Sequence, residues 1–143
     1  MGHRYLNDVA IADVAFEAWG ASLPEVFTEA ARATLGVMVE DLAQVHSEVR
    51  RRVELEAGSA ELLLYDFLSE LVYLKDAERL LVLPETLEIV TGTGRARLVA
   101  TLAGEGIDRK RHVLVADVKA VTLHRLALRR RAPGWEAQVV LDV

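Results

Sequence analysis

Apolar residues recur along this chain with two periods, and each change of period marks an element boundary. Residues 13–19 (Asp-Val-Ala-Phe-Glu-Ala-Trp) carry the branched and aromatic content of a strand, closed by Gly20. Ser22-Leu23-Pro24-Glu25 then reads as a capping box with proline in the first turn, so a helix is expected over residues 23–39. Its apolar face is Val26, Phe27, Ala30, Ala31, Thr34, Leu35 and Met38, at spacings of three and four. Residues 47–57 alternate as a strand with one wet face and end at Gly58-Ser59. Ser59 caps a second helix over residues 61–75, with Leu62, Leu63, Phe67, Leu71 and Leu74 as its core stripe.

Beyond Pro84, residues 86–91 and 95–103 are two β-rich runs joined by Gly92-Thr93-Gly94, the pattern of a hairpin. Two glycines and dense charge make residues 104–111 a loop. Residues 112–129 are β-rich, Arg131-Ala132-Pro133-Gly134 is a turn, and residues 135–143 alternate as a closing strand. The order β-α-β-α-β-β-β-β predicts an α+β fold, with two helices packed on one face of a mixed, largely antiparallel sheet. No linker or repeat interrupts it, so residues 1–143 read as a single domain.

The closing strand places the Asp142 carboxylate beside the terminal carboxylate at Val143, which gathers anionic groups at one point. The net charge of −5 conceals a split: residues 1–94 hold 7 Lys/Arg against 17 Asp/Glu, and residues 95–143 hold 10 against 5. A basic surface of that kind attracts phosphates or an acidic partner. With no cysteine, disulfides and thiolate metal sites are excluded, and a cytoplasmic location is the simplest expectation. No apolar run approaches the roughly 20 residues of a membrane span.

Most catalytic patterns are missing. His3, His46, His112 and His124 lack zinc-ligand spacing. Gly92-Thr93-Gly94 leads into a strand rather than a helix, unlike a dinucleotide loop. No serine sits in a nucleophile elbow. Asp66 lies at the edge of the second helix's apolar stripe, with a structural and a partner-contact role both open. Lys119 lies in the run 113–128, which also holds Arg125, and shares a face with Asp117, Val121 and Leu123 if the run is extended. The basic clusters 50–52, 109–111 and 129–131 lack the interleaved aromatics of single-strand binders.

Four segments in order carry a resemblance: Asp13-Val14-Ala15-Phe16-Glu17-Ala18-Trp19-Gly20; residues 63–74; Val118-Lys119-Ala120-Val121-Thr122-Leu123-His124; and Gly134-Trp135-Glu136-Ala137 with Leu141-Asp142-Val143. Together they resemble the archease family across nearly the whole chain. The resemblance implies a small α+β protein that is no enzyme but activates an RtcB-type RNA ligase in tRNA splicing and RNA repair, promoting its guanylylation and multiple turnover. It implies a metal site at Asp13, Asp142 and Val143, with Lys119, Asp8 and His124 completing a working cluster toward the ligase. Carboxylate and main-chain oxygens are hard donors that suit Ca²⁺, Mg²⁺ or Mn²⁺. GTP would be bound by the ligase, and RNA met only through it. The family's D-H-T-A-D segment is replaced here by Asn7-Asp8-Val9-Ala10-Ile11-Ala12-Asp13, with Asp8 the candidate substitute for the lost polar residues. Two other expectations stand beside this one. The basic C-terminal part could contact RNA directly, or the acids could serve a small metal-dependent enzyme with Asp8, Asp66 or His124 as base.

Overall fold

The computed structural model describes residues 1–7, 9 and 12–143. Both helices start where their caps place them. Ser22 Oγ accepts from the Glu25 amide at 3.4 Å, and Glu25 Oε2 accepts in return from the Ala21 amide at 2.5 Å, one residue before the cap. Helix α1 spans Leu23–Met38 and buries every residue of its expected apolar face. Helix α2 spans Ala60–Glu78, three residues past its expected end, and stops at Arg79 in the left-handed conformation. Its stripe is rotated from expectation: Leu62 stays exposed, while Leu64, Leu68 and Val72 join Leu63, Phe67, Leu71 and Leu74 in the interior.

The α+β class holds, and the strands divide between two sheets rather than one. In the first, β1 (Gly2–Leu6), β2 (Asp13–Gly20), β8 (Gly134–Asp142) and β6 (Ala120–Val121) lie in that order, with β7 (Ala127–Arg131) also on β8. In the second, β5 (Arg95–Gly106) lies between β3 (Val49–Ala57) and β4 (Leu80–Gly92). Every ladder among the described residues is antiparallel, which carries the largely antiparallel expectation to its limit.

Three differences have local causes. β1 has no strand signal in the sequence pattern; it is short and at an edge, and side chains fix it to α1. The Tyr5 hydroxyl donates to Ala33 O at 2.8 Å, and His3 Nδ1 shares a 2.5 Å hydrogen bond with Glu29 Oε1. Burial, then the Glu29 charge, pushes the Tyr5 phenol above its ordinary pKa. β4 begins at Leu80 and runs through Pro84, with a register shift between Pro84 and Thr86. This is tolerated because β4 is an edge strand. β5 continues to Gly106 through the expected loop. A Cβ at Gly104 would lie 1.8 Å from Leu81 O, so glycine there permits close strand approach rather than a turn.

Residues of both helices and both sheets share one core, in which Phe27 and Phe67 pack with ring centroids 5.8 Å apart. The expected long β run at 112–129 reduces to β6 and β7. Residues 113–119 form no ladder beyond a bridge from Leu114 to Val39.

Candidate functional site

The register of β2 on β8 is set by hydrophobic pairing. Val14, Phe16 and Ala18 face Leu141, Val139 and Ala137 on the core side, so period two sends Asp13 and Asp142 together to the opposite face. The two acids are direct cross-strand partners. The Val143 amide donates to Ala12 O at 3.0 Å, which makes Asp13 and Asp142 a non-hydrogen-bonded pair, the narrow kind with Cα atoms about 4.5 Å apart. Asp142 therefore turns its own main chain toward β6, and its carbonyl accepts from the Lys119 amide at 2.8 Å. Thr122 secures the same edge, donating from both its amide and its hydroxyl to Val140 O at 3.0 Å.

Four predicted residues are thus brought together: Asp13, Asp142, Val143 and Lys119. Both acids are half-buried and Lys119 is exposed. Neither carboxylate, nor the Lys119 ammonium, has an ion pair or side-chain hydrogen bond among the described residues. Like charges facing each other across strands repel, and nothing described neutralises them. The donor chemistry fits a hard cation: two carboxylates with main-chain oxygens beside them and no nitrogen or sulfur.

The other expected members fare differently. Asp8 lies outside the described residues. His124 sits exposed in the turn between β6 and β7, with no hydrogen bond or ion pair among the described residues. Asp66 is half-buried on α2. Lys119 precedes β6 instead of lying inside a strand, so no shared strand face with Asp117 arises. The basic clusters are neutralised in part: Arg50, Arg51 and Arg52 pair with Glu85, Glu78 and Glu54, Arg111 with Glu105 and Arg131 with Glu136, whereas Arg109, Lys110, Arg129 and Arg130 have no ion pair among the described residues.

One charged cluster escaped the sequence reading. Glu105, 2% exposed, accepts from the His46 amide at 2.6 Å, from Arg111 Nη1 at 2.7 Å and Nη2, and from His112 Nε2 at 3.1 Å. His112 Nδ1 accepts from the Asp108 amide at 2.9 Å, which fixes the neutral tautomer with its proton on Nε2. The Arg111 hydrogen bonds outweigh burial and hold the Glu105 carboxyl at about 2. His46, Glu48 and Glu105 have ligand atoms within 4.8 Å of one another. Arg111 already pairs with Glu105 and donates to Gln44 O, so the cluster acts as a staple between the 105–112 segment and residues 44–48. No local signal announces it, because the His46 contact spans 59 positions.

The model of the Archease protein family (MTH1598/TM1083) matches residues 4–143. The chain belongs to the archease family. A protein archease of Methanosarcina acetivorans is 38% identical over 143 residues, 99% of this chain and 97% of the relative. One from Pyrococcus furiosus is 34% identical over 133 residues, covering 92% and 93%. Among solved structures, this archease superposes on the solution structure of Methanobacterium thermoautotrophicum protein 1598 with a TM-score of 0.84 at 33% identity, over 99% of both chains. The crystal structure of a Thermotoga maritima archease, described as a possible chaperone, gives 0.57 at 18% identity over 98% and 99%, a likeness of fold. No helix among the described residues is long and apolar enough to cross a membrane.

Proposed function

We propose that this archease is a non-catalytic activator of an RtcB-type RNA ligase in the cytoplasm, acting in tRNA splicing and RNA repair. The observation that carries the reading is the cross-strand pair Asp13–Asp142, without a counter-charge among the described residues and flanked by Lys119 on the same strand edge. Asp13, Asp142 and a main-chain oxygen of Val143 would hold a hard divalent cation, Ca²⁺, Mg²⁺ or Mn²⁺. A cation held there would supply positive charge toward oxygens of the ligase's nucleotide site. The protein's own part is positional. Rigid ladders on both sides of β8 fix the two carboxylates, while the Lys119 amide bond to Asp142 O holds the lysine stem at the rim, free to reach an anionic group on the partner. GTP stays with the ligase, and RNA is met through it. Pairing of the β3 arginines and of Arg131 with carboxylates agrees with a protein that leaves phosphate contact to its partner.

The test is ligase turnover with limiting enzyme, GTP and a divalent metal. The parent protein should support multiple rounds of sealing, and Asp142→Asn and Lys119→Ala should not. If both variants restore turnover as the parent does, the cluster assignment is wrong.

A further inference from the structure

Residues 113–117 cross between the two sheets with one edge satisfied and the other open. The Glu40 amide donates to Val113 O and the Val115 amide donates to Met38 O, both at 2.9 Å, around the bridge between Val39 and Leu114. In an extended segment the main-chain groups of successive residues point to opposite sides. Leu114 and Ala116 therefore direct theirs away from the 38–40 segment, and no hydrogen bond to these groups exists among the described residues. The segment is held in place at its end. Lys75, 8% exposed, donates to Asp117 Oδ1 at 2.5 Å and to Val118 O at 2.7 Å, and pairs with Asp76.

Two further observations say what this edge suits. Val113 and Val115 project outward at 59% and 64% exposure, an apolar pair at alternate positions of a strand. A cleft of about 500 Å³ is lined by residues 114–117 together with Lys75, Asp76, Arg79 and Arg109; Asp76 and Asp117 are both paired with Lys75, which leaves Arg79 and Arg109 as cations without an ion pair among the described residues. An open row of donors and acceptors is the template for an added strand. The outward valines reward apolar residues at every second position, and the two arginines favour carboxylates.

The geometry points to the 113–117 edge as the docking site for an extended, acidic peptide segment of the partner protein, joined by strand addition. This rests on the activator reading only for the identity of the partner, the ligase. It sets the docking edge directly before Lys119, so the partner's strand would run up to the Asp13–Asp142 pair.

The experiment is amide hydrogen exchange on the full chain, read at Leu114 and Ala116, with a ten-residue peptide of alternating valine and glutamate as probe. The peptide slows exchange at both amides, and its valine–lysine counterpart binds about tenfold more weakly. Arg79→Ala with Arg109→Ala removes that preference. Unchanged exchange, or equal effects of the two peptides, overturns the proposal. So does protection that grows with protein concentration alone, which would make the occupant a second copy of this chain. In a parallel arm, Val115→Glu loses binding to the ligase while Asp142→Asn keeps it. If Val115→Glu binds like the parent, the partner assignment fails and the Asp142 reading stands. If the ligase ignores the parent protein, the activator reading fails, and the peptide arms still decide the edge.

Discussion

Replacing Asp142 with asparagine should stabilise the metal-free protein and abolish its response to divalent cations. The residue faces Asp13 across a narrow strand pair with no described counter-charge, so two negative charges stand about 5 Å apart. Coulomb energy at that distance is about 1 kcal/mol with a water-like dielectric and about 3 kcal/mol with an effective dielectric near 20. Both acids keep part of their surface in water, which places the cost nearer the lower figure. Salt at physiological strength trims it only in part, because the separation is shorter than the Debye length of about 8 Å. Asparagine keeps the shape and leaves the main-chain bonds to Ala12 and Lys119 untouched. In EDTA at neutral pH the variant should melt about 2–4 °C above the parent, the shift that about 1 kcal/mol gives a chain of this size.

Calcium or magnesium should reverse the order. A cation present at about 100 times its dissociation constant adds about 2.7 kcal/mol to the parent and nothing to a variant that has lost the site. Differential scanning calorimetry in EDTA and in millimolar metal measures both limbs. Glu88→Gln, which removes an exposed acid from β4, controls for the change in net charge. If the parent melts identically with and without metal, the cation site does not exist; if Glu88→Gln matches Asp142→Asn in EDTA, the repulsion does not.

Glu105 governs the acid limb of stability. Its carboxyl is lowered from 4.5 to about 2, so its contribution is full above about 4.5 and lost as pH falls toward 2; in urea titrations Glu105→Gln should flatten that interval and leave the slope above pH 5 unchanged. Lys75→Met should cost about 2–3 kcal/mol in urea unfolding, since Val118 O loses its donor. Burial opposes the Lys75 charge, but hydrogen bonds to Asp117 and Asp76 outweigh it and raise the pKa, so its contribution is complete below 10.5 and the penalty should be constant from pH 6 to 9. Gly104→Ala should prevent soluble folding, because its Cβ would meet Leu81 O inside a three-stranded ladder; recovery of the parent's circular dichroism spectrum and melting temperature would refute this.

Sequence period and caps determine what is local. Ser22 and Ser59 announce both helices to within a residue at their starts, because a cap is a contact between near neighbours. The later boundaries depend on distant partners. Arg79 ends α2 in a left-handed turn whose carbonyl accepts from Ile107, and Gly104 reads as loop until β4 is seen beside it. The alternation in residues 135–143 shows that Asp142 lies off the core face. That Asp13 lies opposite it follows only from the pairing of β2 with β8, which the resemblance supplied and spacing did not.

The remaining illegible part, residues 113–119, is where fold and proposed function meet. Its valines and leucine mimic a strand in any reading by period, yet among the described residues its main-chain partners lie toward its ends, at residues 38–40 and at Asp142. What holds the middle is a buried lysine from α2, a residue whose type predicts exposure. The Lys75 ammonium binds Val118 O and Asp117, and the next residue, Lys119, is tied to Asp142 O. One chain of contacts thus runs from the end of α2 through 117–119 to the acid pair, and the open edge of 114–116 lies on the same short segment.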